Sequence, residues 1–136
     1  MGYNQVSMAD KKTDQVPPLV LVNRMSEEAV FPSGFILSTA KPISVPYRQK
    51  TKVPTDLRFT VPFGVSFQIV PIPDLAQKSI SVSEGYIGPC TDAPVTVTMH
   101  NYSGSHIELK AGDQIAQLKI SDIIAPEFVD VTPRID

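Results

Sequence analysis

The chain lacks a charge excess, a cysteine framework and a long apolar run. Its net charge of −2 at pH 7 offers no basic surplus to hold a nucleic-acid backbone. The single cysteine, Cys90, excludes an intrachain disulfide framework and a cysteine cluster for a metal. No run approaches the roughly 18 apolar residues of a membrane span, and Met1 to Gln15 lacks the apolar core of a signal peptide. The sequence therefore predicts an intracellular protein, cytoplasmic or nuclear, that binds neither nucleic acid nor membranes.

The length of 136 residues predicts one domain. Hydrophobic residues make up 42% of the chain and charged residues 19%, which is typical of a globular protein. Residues 1–16 are polar and without periodicity, so we expect a flexible N-terminal arm. A β domain is expected over residues 17–125. The tail at 126–136 mixes apolar residues with acids and prolines, and we expect it to dock on its own barrel or on a neighbouring subunit.

Prolines and short β-branched runs indicate the fold class. The 13 prolines argue against long helices, because each removes a backbone donor and fixes φ. The clearest alternation is Val95 to Met99, with threonines on one face and apolar residues on the other. Many short strands with turns between them predict an all-β barrel or sandwich, with strands expected at 18–22, 34–37, 43–45, 52–59, 65–70, 79–82, 95–101, 106–109 and 114–120.

The segment from Lys110 to Lys119 carries the most specific pattern. It contains a Gly-Asp turn that enters a strand with apolar positions. Its core, Gly-Asp-Gln-Ile-Ala-Gln-Leu at 112–118, resembles the Gly-Asp-Arg-Ile-Ala-Gln-Leu segment of the trimeric deoxyuridine triphosphatase (dUTPase) family. Residues 55–64 and 95–103 resemble further strands and turns of that family. The resemblance runs from about Leu19 to about Val131.

This resemblance implies an all-β, dUTPase-like barrel of Greek-key or jelly-roll character that forms a homotrimer. C-terminal strand exchange or close packing along a three-fold axis is expected with it. Gly64 and Gly112 stand at turns where φ is expected to be positive. We assign Gly112, Asp113, Ile115 and Gln117 to the fold and the subunit interface, because Gln117 stands where the family has a glutamine near both the interface and the active site.

The first two chemical motifs of the family are altered in this chain. The family's Ala-Gly-Tyr-Asp-Leu core is Ser-Gly-Phe-Ile-Leu at 33–37, so apolar Ile36 stands where the metal-side carboxylate belongs. The Pro-Arg-Ser-Gly-Leu-Ala motif is Pro-Ile-Pro-Asp-Leu-Ala at 71–76. Ile72 therefore replaces the phosphate arginine, and Asp74 places a carboxylate where it would repel a phosphate.

The third motif differs at the positions of the base and of the sugar contact. The family has Gly-Val-Ile-Asp followed by a tyrosine, whereas residues 85–91 read Gly-Tyr-Ile-Gly-Pro-Cys-Thr. Gly88 stands at the position of the water-activating base, and Thr91 stands at that of the tyrosine that packs on the deoxyribose. General-base catalysis needs a titratable group, which glycine cannot supply. The glycine-rich C-terminal motif that closes over the phosphates is absent, since no glycine follows Gly112.

These substitutions predict a degenerate nucleotide pocket at Ile36, Ile72, Asp74, Gly88 and Thr91. We therefore expect a non-enzymatic dUTPase-like protein with no catalytic residue, metal or cofactor, acting as a trimeric interaction or structural module. Catalytically silent members of this family are most familiar from viruses, so a viral accessory protein or virion component is expected. The alternative is a divergent nucleotide-binding protein or a nucleotide hydrolase with altered chemistry.

Apolar residues outside the pocket are the expected contacts for a protein partner. Phe63 occupies a corner between a proline and a glycine, where we expect it to be exposed. Phe128 and Val129 form an apolar anchor flanked by acids in the tail. Exposed aromatic residues often anchor protein interfaces. The expected partners are the chain itself, as a homotrimer, and an unidentified protein.

Overall fold

The computed structural model describes residues 16–83, 85–89, 91, 93–120 and 125–132, and these residues are almost entirely strands and turns. One short helix, α1 (Pro73–Gln77), interrupts them and begins with proline at its N-terminus. None of the described helices is long and apolar enough to cross a membrane. The strands are β1 (Leu19–Arg24), β2 (Ile36–Ser38), β3 (Ile43–Val45), β4 (Lys50–Pro54), β5 (Leu57–Thr60), β6 (Phe67–Pro71), β7 (Ile80–Ser83), β8 (Gly85–Ile87), β9 (Thr96–Asn101), β10 (Ile107–Leu109), β11 (Gln114–Ile120) and β12 (Glu127–Asp130).

The strands pair into small sheets with crossovers between them, as in a jelly roll. A four-stranded sheet has the order β2-β11-β6-β8, and three-stranded sheets have the orders β12-β1-β5 and β4-β9-β7. β10 pairs with β3 in a two-stranded sheet. The pairing of β1 with β12 is parallel, whereas the other strand pairs are antiparallel. The predicted all-β architecture is confirmed.

The core is made by the inward positions of alternating strands. In β9, Val97 and Met99 are buried while Thr96 is exposed, which is the face assignment that the sequence pattern predicts. Four aromatic rings at the centre form what we call the phenylalanine cluster: Phe35, Phe59, Phe67 and Phe128. The ring centroid of Phe128 lies 5.5 Å from that of Phe35, 5.6 Å from that of Phe59 and 5.8 Å from that of Phe67. The tail residue thus packs on rings from three other parts of the same chain.

The strand expected over residues 52–59 is wrong, because the chain turns sharply in its middle. β4 ends at Pro54 and β5 begins at Leu57. Asp56 has a φ of 55°, and its Oδ2 accepts a hydrogen bond of 2.7 Å from the Ser26 hydroxyl. The buried hydroxyl of Thr55 donates to the carbonyl oxygen of Val95 at 2.8 Å. These side-chain bonds satisfy the polar groups of a corner that sends the chain from one sheet into another.

A buried asparagine holds the turn that follows β9. Asn101 is 1% exposed, and its Nδ2 donates to the carbonyl oxygens of Val45 and Ser105 at 2.9 and 2.8 Å. Its Oδ1 accepts from the backbone N–H of Ser103 at 2.9 Å and from the Ser103 hydroxyl at 2.6 Å. Every polar atom of this amide is bonded, so the side chain joins β9 to β3 and shapes the turn.

The tail strand β12 lies beside β1. Leu19 aligns with Glu127 and Val22 with Asp130, and the ladder continues through the bond from the N–H of Val131 to the carbonyl oxygen of Val22. An ion pair of 2.9 Å joins Arg24 Nε to Asp130 Oδ2. Hydrogen bonds from the hydroxyl and backbone N–H of Thr132 to Asp130, followed by the charge of Arg24, hold the pKa of Asp130 below its ordinary value.

Candidate functional site

A cavity of about 160 Å³ opens beside β8. Its walls combine apolar side chains with backbone groups and with the hydroxyl-bearing Tyr86, Thr91 and Thr96; the lining residues are Ile69, Gly85, Tyr86, Ile87, Thr91, Ala93, Pro94, Val95 and Thr96. A cavity of about 150 Å³ lined by apolar side chains accommodates a benzene ring. The volume of this space is therefore sufficient for one six-membered ring.

At the cavity, β8 lies very close to β6. Gly85 aligns with Ile69, and a Cβ at Gly85 would overlap the Ile69 side chain. Only glycine allows this approach without displacement of the neighbouring strand. In the described part of the chain β8 is the terminal strand of its sheet. Among the described residues, the outer backbone N–H and C=O groups of β8 therefore have no strand partner.

The turn after β8 is closed by reciprocal hydrogen bonds between Gly88 and Thr91. The N–H of Gly88 donates to Thr91 Oγ1 at 2.9 Å, and the N–H of Thr91 donates to the carbonyl oxygen of Gly88 at 3.0 Å. The predicted pocket residues Gly88 and Thr91 are thus neighbours, and Thr91 lines the cavity. Its hydroxyl accepts the turn bond and keeps its proton as a donor for a ligand.

Sequence reasoning missed Tyr86, which is 64% exposed and forms part of the cavity wall. A Cβ added at Gly88 would lie 2.6 Å from the Tyr86 hydroxyl oxygen and 2.8 Å from its Cε2. The Tyr86 ring therefore covers the backbone of Gly88 and occupies the space that a side chain at position 88 would fill. The available signal was a tyrosine two residues before a glycine, because side chains two apart in a strand share a face.

The other predicted pocket residues lie at the opposite end of β6. Ile36 aligns with Gln117 of β11, which also aligns with Val70 near the end of β6. Ile72 directly follows that strand, whereas Gly88 extends β8 past the strand's beginning. At about 3.3 Å per residue the five residues of β6 span about 13 Å, and the two groups, each one residue beyond an end of this strand, lie about 20 Å apart. Within one chain, the predicted pocket residues therefore form two groups that are not in contact with each other.

The second group offers little for binding a cation. Ile36 and Ile72 are half-buried and apolar, and Ile72 packs against the core. Asp74 is exposed in the first turn of α1 and pairs with Lys78 at 3.6 Å. Within the described ranges no group of three His, Cys, Asp or Glu side chains could hold a metal ion. The described side chains therefore do not fit the metal site that the family resemblance implies, and no chemical step is assigned to a protein-bound metal.

The segment that resembles the family most closely forms a tight turn and a core strand. Gly112 has a φ of 90° and Gly64 a φ of 86°, which confirms the positive φ predicted for both. Asp113 Oδ2 accepts the backbone N–H of Lys110 at 2.8 Å. Ile115 is fully buried, while Gln117, beyond the register shift between Gln114 and Ala116, is exposed. Gln117 is therefore accessible to a neighbouring subunit, and its interface role stays a prediction.

The predicted partner contacts differ in exposure. Phe63 is 98% exposed, at a corner where nothing in the described chain covers it. Phe128 and Val129 are half-buried. Phe128 belongs to the phenylalanine cluster and Val129 aligns with Leu21 in β1. The tail anchor is therefore occupied within the same chain.

Curated relatives share a large part of the sequence. A deoxyuridine 5′-triphosphate nucleotidohydrolase from Oryza sativa subsp. japonica is 40% identical over 128 residues, which cover 88% of this chain and 75% of the relative. A protein of the same name from Fowl adenovirus A serotype 1 is 34% identical over 139 residues, covering 96% of this chain and 78% of that protein. Relatives with this name thus occur in plants and in viruses.

Solved structures show the same fold. A dUTPase from phage phi11 of S. aureus superposes with a TM-score of 0.70 at 18% identity, covering 82% of this chain and 95% of that one. A dUTPase of EIAV superposes with a TM-score of 0.62 at 23% identity, covering 79% and 95%. At these identities the likeness establishes the jelly-roll fold alone, and the predicted dUTPase-like fold is confirmed.

The relatives correct the functional expectation. The prediction of a non-enzymatic interaction or structural module, and with it the description as a pseudoenzyme, is wrong, because relatives at 34–42% identity over most of the chain are nucleotidohydrolases. The loss of residues at a few motif positions does not exclude catalysis, because other side chains of the chain can supply a general base.

A family model extends the match to nearly the whole β domain. The model described as dUTPase matches residues 19–136, which include every described strand. dUTPases are trimers, and this supports self-association of the chain. The family model, the relatives and the fold agree with one another, and the chain belongs to the dUTPase family.

Proposed function

We propose that this protein hydrolyses deoxyuridine 5′-triphosphate, with water attacking the α-phosphorus to give deoxyuridine monophosphate and pyrophosphate. The observation that carries the proposal is the 40% identity to a nucleotidohydrolase of that name over 88% of the chain. The cavity at β8 supports it, because its volume of about 160 Å³ suits a single pyrimidine ring.

The edge of β8 suits the polar rim of a pyrimidine base. A uracil ring presents an imide N–H between two carbonyl oxygens, and the free edge of a strand presents alternating N–H and C=O groups at matching intervals. The apolar walls, which include Ile69, Ile87 and Val95, would cover the ring faces. Apolar walls together with a few polar groups that set the orientation of the ligand are typical of small-molecule sites.

We expect the group that activates water among residues that neighbour the cavity lining in the sequence. No carboxylate lines the cavity in the described part of the chain. The sequence offers two next to lining residues, since Glu84 precedes Gly85 and Asp92 follows Thr91, and both lie outside the described residues. We assign the general base to this pair of carboxylates. The variants Glu84→Gln and Asp92→Asn show which of the two carboxylates is the general base. The variant that removes the base should lower kcat by about two orders of magnitude or more.

The assembly that we infer is a homotrimer. One chain leaves the predicted pocket residues in two groups about 20 Å apart, and a neighbouring subunit would bring the second group of one chain to the cavity of another. Large apolar residues around β1 and β12 are exposed in the single chain: Leu19 is 46% exposed, Met25 48% and Val131 45%. Light scattering should give a mass three times that of the 14.8 kDa chain. A monomer at micromolar concentration would contradict this inference.

The proposal also includes a protein partner and a cellular location for this protein. Phe63 is the contact we propose for another protein, supported by its 98% exposure. An intracellular location, in the cytoplasm or nucleus, suits an enzyme of nucleotides. A relative from Dictyostelium discoideum is named mitochondrial, so compartments differ within the family.

Hydrolysis is tested by pyrophosphate release from dUTP with Mg²⁺ in the assay. The purified chain should release pyrophosphate well above the buffer rate, and Glu84→Gln or Asp92→Asn should remove that release without loss of folding. The variants are purified in the same way and serve as controls, because a contaminating host enzyme would release pyrophosphate in their preparations as well. Equal rates in the wild type, in both variants and in buffer would refute the proposal.

A further inference from the structure

We propose that Tyr86 is a substrate-contacting residue whose ring stacks on the pyrimidine nucleoside at the mouth of the β8 cavity. The inference rests on the proposed nucleotide site and assigns a specific contact to it. A tyrosine that is 64% exposed on a terminal strand and also lines a cavity combines a large apolar face with access to a ligand. The ring has no aromatic partner among the described residues, and the part of it turned away from Gly88 is the part that would stack on a ligand.

The position of the ring is fixed by the absence of a side chain at position 88. The Tyr86 hydroxyl oxygen, Cζ and Cε2 would all lie within 2.9 Å of a Cβ added at Gly88. The ring therefore rests on the glycine backbone, and any larger residue there would push it away. Gly88 thus acts as a positioning residue for Tyr86, which accounts physically for a glycine at this place.

The cavity volume determines which part of a nucleotide Tyr86 can contact. The space of about 160 Å³ is partly open to solvent and is sufficient for one ring, so a bound pyrimidine would occupy it and the sugar and phosphates would extend outside. Tyr86 is an exposed member of the lining, whereas Ile69 and Ile87 are buried members. Its ring would cover the nucleoside where it leaves the cavity, and its hydroxyl would add one hydrogen-bonding group there.

Calorimetric titration with α,β-imido-dUTP, which is not hydrolysed, tests the contact directly on the intact protein. Tyr86→Ala should weaken binding about tenfold, which is the usual loss when an aromatic residue stacked on a base is removed. Tyr86→Phe should keep most of the affinity because it keeps the ring. Tyr102→Ala is the matched control, since Tyr102 is also exposed, at 67%, but does not line the cavity.

Gly88→Ala provides a second and independent test. Its Cβ should displace the ring, at little cost in stability because the atoms it meets are the far end of an exposed side chain. Affinity should fall several-fold, and the double variant Tyr86→Ala with Gly88→Ala should bind no more weakly than Tyr86→Ala alone. In dUTP hydrolysis, Tyr86→Ala should raise KM with a much smaller effect on kcat, as expected for a binding contact.

The outcomes separate this inference from the proposed activity. If the wild type binds the analogue but does not hydrolyse dUTP, the proposed activity is refuted. The affinities of Tyr86→Ala and Tyr86→Phe, compared with that of the wild type, would still show whether Tyr86 contacts the ligand. Wild-type affinity in Tyr86→Ala, an equal loss in Tyr102→Ala, or an additive loss in the double variant would overturn the assignment of Tyr86. Failure of the wild type to bind the analogue would overturn it as well.

Discussion

Removal of the Phe128 ring is expected to destabilise the protein strongly, because this ring ties β12 to the core. Its centroid lies 5.5 to 5.8 Å from those of Phe35, Phe59 and Phe67. Truncation of a buried phenylalanine to alanine costs about 3–5 kcal/mol. Since Phe128 is half-buried, we take the lower end, about 3 kcal/mol. For a chain of this size, that loss lowers Tm by roughly 10 °C.

Phe63→Ala is the matched control, because it removes the same ring from a position that is 98% exposed. Its effect should stay within about 0.5 kcal/mol. Both variants would be compared with the wild type by thermal and urea unfolding at one protein concentration, since association makes Tm depend on concentration. Two results would contradict this account. One is a Tm of Phe128→Ala within about a degree of the wild-type Tm, and the other is an equal destabilisation by Phe63→Ala. Either would show that the packing of Phe128 in the phenylalanine cluster does not stabilise the fold.

Three further variants test other parts of the fold. Asn101→Ala should cost about 2–4 kcal/mol in urea unfolding, because it leaves buried backbone groups without partners; an effect below about 0.5 kcal/mol would show that the turn does not depend on the amide. Gly85→Ala should cost about 1–3 kcal/mol through overlap with β6, whereas Gly104→Ala, with open space around its Cα, should be nearly neutral. The pKa of Asp130 is lowered on folding, so its contribution to stability is present above its ordinary pKa and is lost as pH falls through the lowered one. The Tm difference between wild type and Asp130→Asn should therefore stay constant from about pH 7 to about pH 5 and should shrink once pH falls below the ordinary pKa of 3.8; a difference independent of pH would contradict the assignment.

Much of the fold could be predicted because period-two patterns and turn residues are local signals. The alternation from Val95 to Met99 identified β9 and its buried face, and Gly64 and Gly112 identified turns with positive φ. The corner at Thr55 and Asp56 could not be predicted in this way. It depends on hydrogen bonds to Ser26 and Val95, which are distant in sequence.

The site was harder to predict because its walls come from separate segments. Thr91 was expected in the pocket, and it lines the cavity, but Tyr86 and the segment at 93–96 were not expected there. Their contribution depends on the close approach of Gly85 to Ile69, which brings β8 against β6. Ile36 and Ile72 lie at the far end of β6, and sequence alone does not show that a single chain keeps them apart from Gly88.

The rate of pyrophosphate release from dUTP, compared with that from dATP, tests the central claim most directly. The chain as it exists should turn over dUTP well above the buffer rate and should discriminate against dATP, as expected for a relative of deoxyuridine 5′-triphosphate nucleotidohydrolases whose cavity of about 160 Å³ suits a pyrimidine ring. The same preparation carrying Asp92→Asn together with Glu84→Gln should be inactive. Turnover of dUTP no faster than buffer, or equal turnover of dATP, would contradict the assignment of the β8 cavity as the nucleotide site of a dUTP nucleotidohydrolase.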